Sequence, residues 1–591
     1  MGSERPEEKR TEKIIEAREM NINRLFSHDF MYRIPFYQRP FSWGATQFEQ
    51  LIDDINDSMN SVEGHFLGSI LLQERSIGKF DLVDGQQRMT ALAILMAVIR
   101  DSTENADLQT TMQSCIYQEA NKWKQIPEAM RITPWEKVQR LFREYIYFKG
   151  GTGKFLEDFG SGKISYHDVE DPEFHLFEAI TTFRSKMPAD PKALEDFVIH
   201  MLNHVYMVHM ITKSELSSAF RLFHTLNTAG LDLSASDILK AENLGVIKED
   251  EKQKQYADIW QTIEEDLGRS ALADIIGYIR TIKKKEKAKL GIYEEYVEIF
   301  ESGKLERGPA FIDYVNEIAA IYKAKILNPD VKTSDPESRS RYKNIVNLMV
   351  TFVPFTDWIP PLLTFYHKFR SDERLPAFIS RLEKKMIVEW AAGFSETERI
   401  TSIIRLVKLV EEAKSPEEVA EKMLAYKSSE STKTRIIDFV NDEEVKGYLK
   451  NELNDQRFYF LHSGKFAKYM LLRIDMETWE MENFAGYPGT VTVEHILPQH
   501  PEENGPWEKL FEKKDRDEWT NKLGNLVLLS GRKNSRAQNY EFQEKKDIYF
   551  KEKSTYFKIT RELEGILSWD PTQLKNRHTD LVNRALALYS G

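Results

Sequence analysis

The chain is poor in cysteine, in long apolar runs and in net positive charge, and each shortage removes a class of protein. A lone cysteine, Cys115, rules out an intrachain disulfide and any cysteine-built zinc cluster, so a bound metal has to be held by oxygen and nitrogen. No apolar run reaches the roughly eighteen residues that a membrane-spanning helix needs. The opening residues Glu4, Glu7, Glu8, Lys9 and Arg10 are too charged for a secretory signal, and the expectation is a soluble, cytoplasmic protein. A formal net charge of −12 argues against a protein that coats nucleic acid nonspecifically, because such affinity comes from neutralising phosphates. Two glycine-rich runs, Gly150-Gly-Thr-Gly153 and Gly160-Ser-Gly162, lack the lysine and serine of a phosphate-binding P-loop and are expected to be loops. No internal repeat or long low-complexity tract interrupts the 591 residues, a length that calls for two or three domains.

What is present is concentrated towards the two ends. Val491-Thr-Val-Glu494-His495-Ile-Leu-Pro-Gln499 is followed by Leu523-Gly-Asn525-Leu-Val-Leu-Leu-Ser530 and then by Arg532-Lys-Asn534-Ser. Asn525 stands thirty residues after His495 (525 minus 495), and Asn534 nine after that (534 minus 525). Cleaving a phosphodiester needs a base to activate water and a cation to absorb charge on the phosphate. His495 has the near-neutral pKa of such a base. Glu494 points to the other face of an extended strand and suits a hard oxygen ligand for Mg2+ or Mn2+. Asn534, opening a helical stretch, can supply a second oxygen from the opposite wall, and Asn525 reads as an orienter of the loop or of the imidazole. The long gap before Asn525 implies an inserted loop around Pro501 to Trp519. A Glu-His pair alone, among 13 histidines, would be read as structural; the whole run carries the inference.

Charge is distributed unevenly. Between Lys509 and Arg561 fourteen Lys or Arg stand against eight Asp or Glu. Arg532, Lys533, Arg536, Lys545 and Lys546 follow the proposed site with Tyr540 and Phe542 among them, a pattern that suits either a DNA-backbone face or a solvated helix surface. The run Lys283-Lys-Lys-Glu-Lys287-Ala-Lys289 is a second candidate groove wall.

Towards the N-terminus, Ile34-Pro-Phe-Tyr-Gln38-Arg39-Pro-Phe-Ser-Trp43 precedes a helical stretch, and Phe80-Asp-Leu-Val-Asp84-Gly85-Gln86-Gln87-Arg88-Met-Thr90 follows the apolar run Phe66 to Leu72. The second segment predicts a strand through Leu82 and Val83, a turn at Gly85 and an apolar helix from Met89 to Ile99. Amides at a helix start with an arginine in the first turn favour an anionic phosphate, and Arg88 offers a fork of donors. Gln38 and Arg39 could close over the same anion. The alternative is that Asp84 caps the helix and Arg88 is solvated. Phe220-Arg-Leu-Phe-His-Thr-Leu-Asn227-Thr-Ala-Gly230-Leu-Asp-Leu-Ser234-Ala-Ser236-Asp237 forms a third segment, in which Ser234 or Ser236 can cap a helix and Asn227 and Asp237 either touch nucleotide or shape the turn.

The run from Glu494 through Asn534, with Asn539, Phe542 and Lys545 and the later Trp569, Arg577 and Leu581, resembles the C-terminal domain of the GmrSD-like (BrxU-like) restriction endonucleases. Its His-Asn-Asn order is similar to the HNH, or ββα-metal, nuclease fold. The three N-terminal segments look like the ParB/sulfiredoxin-like NTPase domain found upstream in the same proteins. The resemblance implies an α+β, predominantly helical chain: a charged arm over 1–24, the NTPase domain over 25–245, a helical linker over 246–440 and the HNH domain over 441–591. It implies a type IV, modification-dependent endonuclease of phage defence that cuts double-stranded DNA carrying hydroxymethylated or glucosylated cytosines. A divalent metal would be held by Glu494 and Asn534, with His495 and Asn525 in catalysis. A nucleoside triphosphate would be bound by Gln38, Arg39, Asp84, Gly85, Gln86, Gln87, Arg88 and Thr90, with Asp84 and Arg88 acting in its hydrolysis. Cutting both strands with single-site modules favours a homodimer, or successive nicks. Two rivals stay open: an SspE-like phosphorothioate sensor with NTPase and nicking activity, and a noncatalytic nucleotide-binding regulator.

Between the ends the pattern is helical, mostly 3.6-periodic from about 100 to 215 and continuing through Ile259 to Lys287, Phe311 to Ile326, Tyr342 to Val353 and Leu375 to Ala392. Asn328 to Ser340 and Ala413 to Glu418 read as boundaries or exposed turns.

Overall fold

The structure, a computed structural model, describes residues 15–35, 41–59, 64–134, 136–166, 171–212, 234–423, 442–550 and 555–588. They gather into two compact units, Met1–Trp260 and Gln261–Gly591. The chain is mostly helical with a small mixed sheet, the α+β class expected. In chain order the strands are β1 (Ile15–Asn21), β2 (Met31–Arg33), β3 (His65–Ser76), β4 (Lys79–Asp84), β5 (Tyr117–Gln118), β6 (Ala129–Met130), β7 (Ile132–Thr133), β8 (Val205–Thr212), β9 (Val491–His495) and β10 (Leu526–Ser530).

In the first unit one six-stranded sheet runs in the order β1-β8-β3-β4-β2-β7. β3 lies antiparallel to β4 and parallel to β8, while β2 lies parallel to both β4 and β7. The helix Gln86–Ser102 follows β4 directly, and Met89 to Ile99 are all buried. A helix that is apolar on every side has no face to give to water, so it sits inside the core. The strand, turn and apolar helix predicted here are all present.

Three features differ from expectation because distant partners decide them. Residues 15–24, expected within a charged arm, form β1, which pairs with β8 from Ile15↔Thr212 to Asn21↔Tyr206, and most of the helical turn Ile22–Leu25, whose Ile22 and Leu25 are buried. The first glycine run opens the helix Gly151–Gly160. Asp101 makes that possible, accepting from Gly150 N at 2.8 Å, Thr152 N at 3.0 Å and Thr152 Oγ1 at 2.9 Å. Four strands, β5 to β8, also fall within the stretch expected to be helical. The segment containing Asn227 and Gly230 lies outside the described residues. Just after it, Ser234 caps the helix Ala235–Gly245 in a capping box with Asp237, which gives that aspartate its structural role.

The helices Asp250–Lys284, Pro309–Tyr322, Pro336–Phe352 and Leu375–Ala391 cover most of the four predicted segments, each ending one to four residues short of the expected end, and the first is broken at Gly268 (φ 77°). The helix at Pro336 starts within the expected turn 328–340, capped by Asp335. Arg473 on helix Lys465–Glu477 pairs with buried Glu383 at 2.9 Å, and Asn344 donates to Met481 O at 3.0 Å. These bonds join the helical stretch to the segment that leads into β9. Of the lysines of 283–289, Lys284 pairs with Glu295 and Glu298, Lys285 with Glu411, and Lys283 caps the Tyr314 ring at 3.7 Å, while Lys287 and Lys289 are exposed.

Gly85 is held at φ +83°, and a Cβ there would lie 2.6 Å from Ile70 Cγ2. Gly85→Ala is therefore expected to destabilise the first unit by at least about 1–2 kcal/mol from backbone conformation alone, before the clash is counted. Urea unfolding should show the midpoint shift, and an unchanged midpoint would mean that this turn relaxes freely.

Candidate active site

β9 and β10 pair antiparallel, His495 opposite Leu526 and Glu494 opposite Val527, and β10 runs straight into the helix Gly531–Ala537. Both strands are rich in Val and Leu, and Leu526 to Leu529 are fully buried. The inserted stretch between the strands carries two short helices, Pro506–Leu510 and Lys513–Trp519, and a 3-10 turn at Leu523–Asn525. The chain thus runs strand, loop, strand and helix, with His495 at the end of β9, Asn525 in the turn before β10 and Asn534 on the helix that follows β10.

Asn525 is completely buried, and its amide makes three bonds to the loops on either side. Oδ1 accepts from Leu497 N at 2.8 Å, while Nδ2 donates to Leu497 O at 2.8 Å and to Thr520 O at 2.7 Å. It therefore holds the loops rather than the imidazole. Arg577 reinforces the turn, donating to Gly524 O at 2.6 Å and Leu526 O at 2.9 Å, and burial lowers its pKa to about 10.

His495 is 7% exposed and stands edge-on to the Tyr459 ring, centroids 4.4 Å apart. Its Nε2 meets Asn521 Oδ1 at 3.1 Å, and Gln499 Nε2 donates to the same oxygen at 3.0 Å. An amide oxygen can only accept, so Nε2 carries the proton and Nδ1 keeps the lone pair. Burial lowers the His495 pKa to about 4, with the bond to Asn521 acting the other way. The ring is neutral at pH 7, as a base must be. Asn521, Gln499 and Tyr459 were missed in the sequence; only the position of Asn521 four residues before Asn525 distinguished it.

Glu494 is buried beside Lys545, whose ammonium donates to Glu494 Oε1 at 2.6 Å and to His495 O at 2.6 Å. Burial raises the Glu494 pKa and lowers that of Lys545, each countered by the other's charge. Asn534 donates from Nδ2 to Val493 O at 3.3 Å, which sets its amide against the residue preceding Glu494. Among the described residues no group of three His, Cys, Asp or Glu converges on one point. Of the expected basic face, Lys545 is fully buried as the partner of Glu494, Lys533 donates to Tyr549 O and Lys546 to Ile566 O, while Arg532 and Arg536 remain exposed. Phe542 is core, and Tyr540 is the exposed aromatic.

At the N-terminal motif Arg88 is half-buried, with Nη1 donating to Ser69 O at 3.3 Å. Burial lowers its pKa, and Asp84 nearby opposes that, so this arginine is packed rather than solvated. Gly68 (φ +99°) lies flat on the guanidinium: a Cβ there would stand 3.1 Å from Nη1. Gln87 accepts from Ser42 N at 2.9 Å, joining the turn to the loop that follows Pro40. Gln38 and Arg39 lie outside the described residues. Asp84, Gly85, Gln87 and Arg88 are half-buried, whereas Gln86 and Thr90 are buried in the helix.

His578, from helix Pro571–Ala587, accepts from Gly524 N at Nδ1 (3.2 Å) and meets Asn454 Oδ1 with Nε2 (3.0 Å), an arrangement that only the neutral ring can make. Burial lowers its pKa to about 4. Below about pH 6.5 the unfolded chain takes up a proton that the folded ring refuses, so stability falls as pH drops from 6.5 towards 4. At pH 5 the His578→Gln protein should bind about one proton fewer on unfolding than the parent, read from the pH slope of urea-unfolding free energies. Equal slopes would place the acid sensitivity elsewhere.

Two family descriptions match the chain. Residues 22–244 match the GmrSD restriction endonuclease N-terminal domain, and residues 444–584 match the GmrSD restriction endonucleases C-terminal domain. No curated protein matches it. No helix among the described residues is long and apolar enough to cross a membrane. The two matches cover more than half of the sequence and take in both motifs, and on that ground the chain belongs to the GmrSD family of type IV restriction endonucleases, enzymes that act on DNA.

Proposed function

We propose that this endonuclease cuts phage DNA bearing modified cytosines, hydroxymethylated or glucosylated, with an HNH-type module at 491–537 under the control of a nucleoside triphosphate at the N-terminal motif. The observation that carries the nuclease chemistry is the His495–Asn521 bond, which leaves a neutral imidazole with Nδ1 as the basic nitrogen. In this reading Nδ1 takes a proton from water, the water oxygen forms the new bond to phosphorus, and the bond to the leaving sugar oxygen breaks, that oxygen being protonated from solvent. Asn525 acts as a positioning residue by holding Leu497 and Thr520, and thereby the ends of the loops that carry Gln499 and Asn521.

The donor set suits Mg2+ or Mn2+: a carboxylate at Glu494 and an amide oxygen at Asn534 are hard ligands, and such ions keep several waters and need few protein donors. When bound, the ion would supply positive charge at the scissile phosphate. Lys545 holds the carboxylate from the protein side through Oε1.

At the N-terminal motif, Arg88 packed under Gly68 and the amides after Gly85 suit a phosphate group, with Asp84 and Gln87 beside them and Ser42 bonded to Gln87; Gln38 and Arg39, nearby in sequence, would complete the set. Nucleotide can control cutting only if it binds one state of the protein better than another.

Magnesium-dependent nicking of a plasmid should fall by about 10²- to 10⁴-fold in His495→Ala and stop with chelator. Equal nicking by parent and variant would end the base assignment. A panel of unmodified, hydroxymethylated, glucosylated and phosphorothioated DNA, with and without nucleotide, tests the specificity. Phosphate release from triphosphate should drop to background in Arg88→Ala while the protein's melting temperature stays within a few degrees; unchanged release would leave that arginine with a packing role only.

A further inference from the structure

The first unit carries an exposed feature that neither motif uses. β5 and β6 form a short hairpin, closed at its tip by reciprocal bonds between Asn121 and Ile126 (N to O, 2.8 and 3.0 Å). Within the tip, Lys122–Lys124 makes a 3-10 turn, and Gln125 takes φ +54°, a left-handed conformation that turns the chain back. At the apex stands Trp123, 94% exposed, directly after the exposed Lys122. The hairpin root is anchored: the Tyr117 ring lies 6.4 Å from that of the buried Tyr147, and Gln118 Nε2 donates to Pro127 O at 2.9 Å. An indole held clear of the surface on a bonded tip has both faces open to a flat partner.

Beside the root is a cationic cavity of about 410 Å³. Arg140, Arg143, Lys149 and Lys154 line it against one carboxylate, Glu144, which pairs with Lys154 at 2.6 Å. Arg143 opens the π-helical segment Arg143–Tyr147, whose last residue packs on Tyr117 at the hairpin root, so root and cavity adjoin; the root also carries two carboxylates, Glu119 and Glu128, the second bonded to Tyr117. Phe148, at the rim, is 55% exposed. In a chain of net charge −12, a cavity lined by Arg140, Arg143 and Lys149 in addition to the Lys154–Glu144 pair is a local excess of positive charge.

We propose that this face binds DNA with an unstacked base: the cavity seats backbone phosphate, and Trp123 stacks on the base whose face is uncovered. Backbone cations with neighbouring aromatics are the chemistry of single-strand recognition, in which every base offers a ring face and phosphate supplies sequence-independent affinity. Cations for phosphate together with an indole open on both faces for a base match the two chemistries that nucleic acid presents along one strand. The inference rests on the family's action on DNA and adds to it the place where the N-terminal unit reads an opened strand.

The test is fluorescence anisotropy of the full chain in EDTA, where nothing is cut, with three labelled DNAs: a single strand, a perfect duplex and a duplex with one base facing an abasic site. Trp123→Ala should weaken binding to the first and third by on the order of tenfold, leave the perfect duplex nearly unchanged and keep the salt slope. Trp123→Phe should recover most of the loss. Arg143→Ala and Lys149→Ala should each reduce the salt slope by about one. Unchanged affinity of Trp123→Ala for all three DNAs, or an effect seen only as altered self-association in sedimentation velocity, would overturn the proposal while leaving the nuclease assignment intact. If the parent bound none of the three DNAs, the proposed face would fall, while magnesium-dependent nicking by the parent but not by His495→Ala tests the cutting reading separately.

Discussion

One buried amide sets the geometry of the C-terminal site. Asn525 spends both ends of its side chain on backbone, binding the loop after β9 at Leu497 and the end of the inserted stretch at Thr520. A buried amide left without partners would cost about 1–3 kcal/mol per unsatisfied group, so the two loops stay where the amide can reach both. Asn521 follows Thr520 directly, and the bond at Thr520 therefore determines where the acceptor for His495 stands. Arg577 and His578 close the same turn from helix Pro571–Ala587, which makes a helix distant in sequence part of the site's frame.

The electrostatics follow from that burial. A histidine enclosed by Tyr459 and the loop loses affinity for a proton, and Asn521 recovers only part of it, so the ring is neutral with its tautomer assigned. Glu494 one residue earlier is buried too, but it has a fully buried ammonium against it. Breaking such a pair by removing one partner generally costs about 3–5 kcal/mol, because the remaining charge has nowhere to go. Lys545 therefore stabilises the carboxylate in place, and its bond to His495 O fixes the backbone of both residues at once. The same economy of means operates at the N-terminal motif, where a glycine laid on a guanidinium holds Arg88 under a turn that another glycine makes.

Several readings succeeded because their signals are local. The helix after Asp84-Gly85 is apolar on every side, and no surface position could accept that composition. Val491 and Val493 alternate with polar residues up to Glu494 in β9, and Asn534 lies in the helix expected there. Readings that failed did so where charge or glycine was taken at face value. Lys545 belongs to a basic cluster in the sequence and is buried in the fold; Lys284 and Lys285 stand in a basic run in the sequence and in ion pairs with different carboxylates in the fold; the glycines at 150–153 look like a loop until Asp101 caps them.

From the order of residues alone came the strand, turn and apolar helix around Gly85, the helical middle and the two motifs, and from the resemblance those motifs carry came the family and the proposed roles of His495, Glu494, Asn534 and Arg88. Periodicity and motif are both properties of neighbouring residues. Tertiary structure alone decided which atoms those groups meet: that Asn521 orients the imidazole, that Lys545 holds the carboxylate, that Gly68 covers the guanidinium, and that β1 is an edge strand. Each of these is a contact between segments separated along the chain, set by burial and by the obligation of buried polar groups to find partners, and neither condition exists until the core has formed.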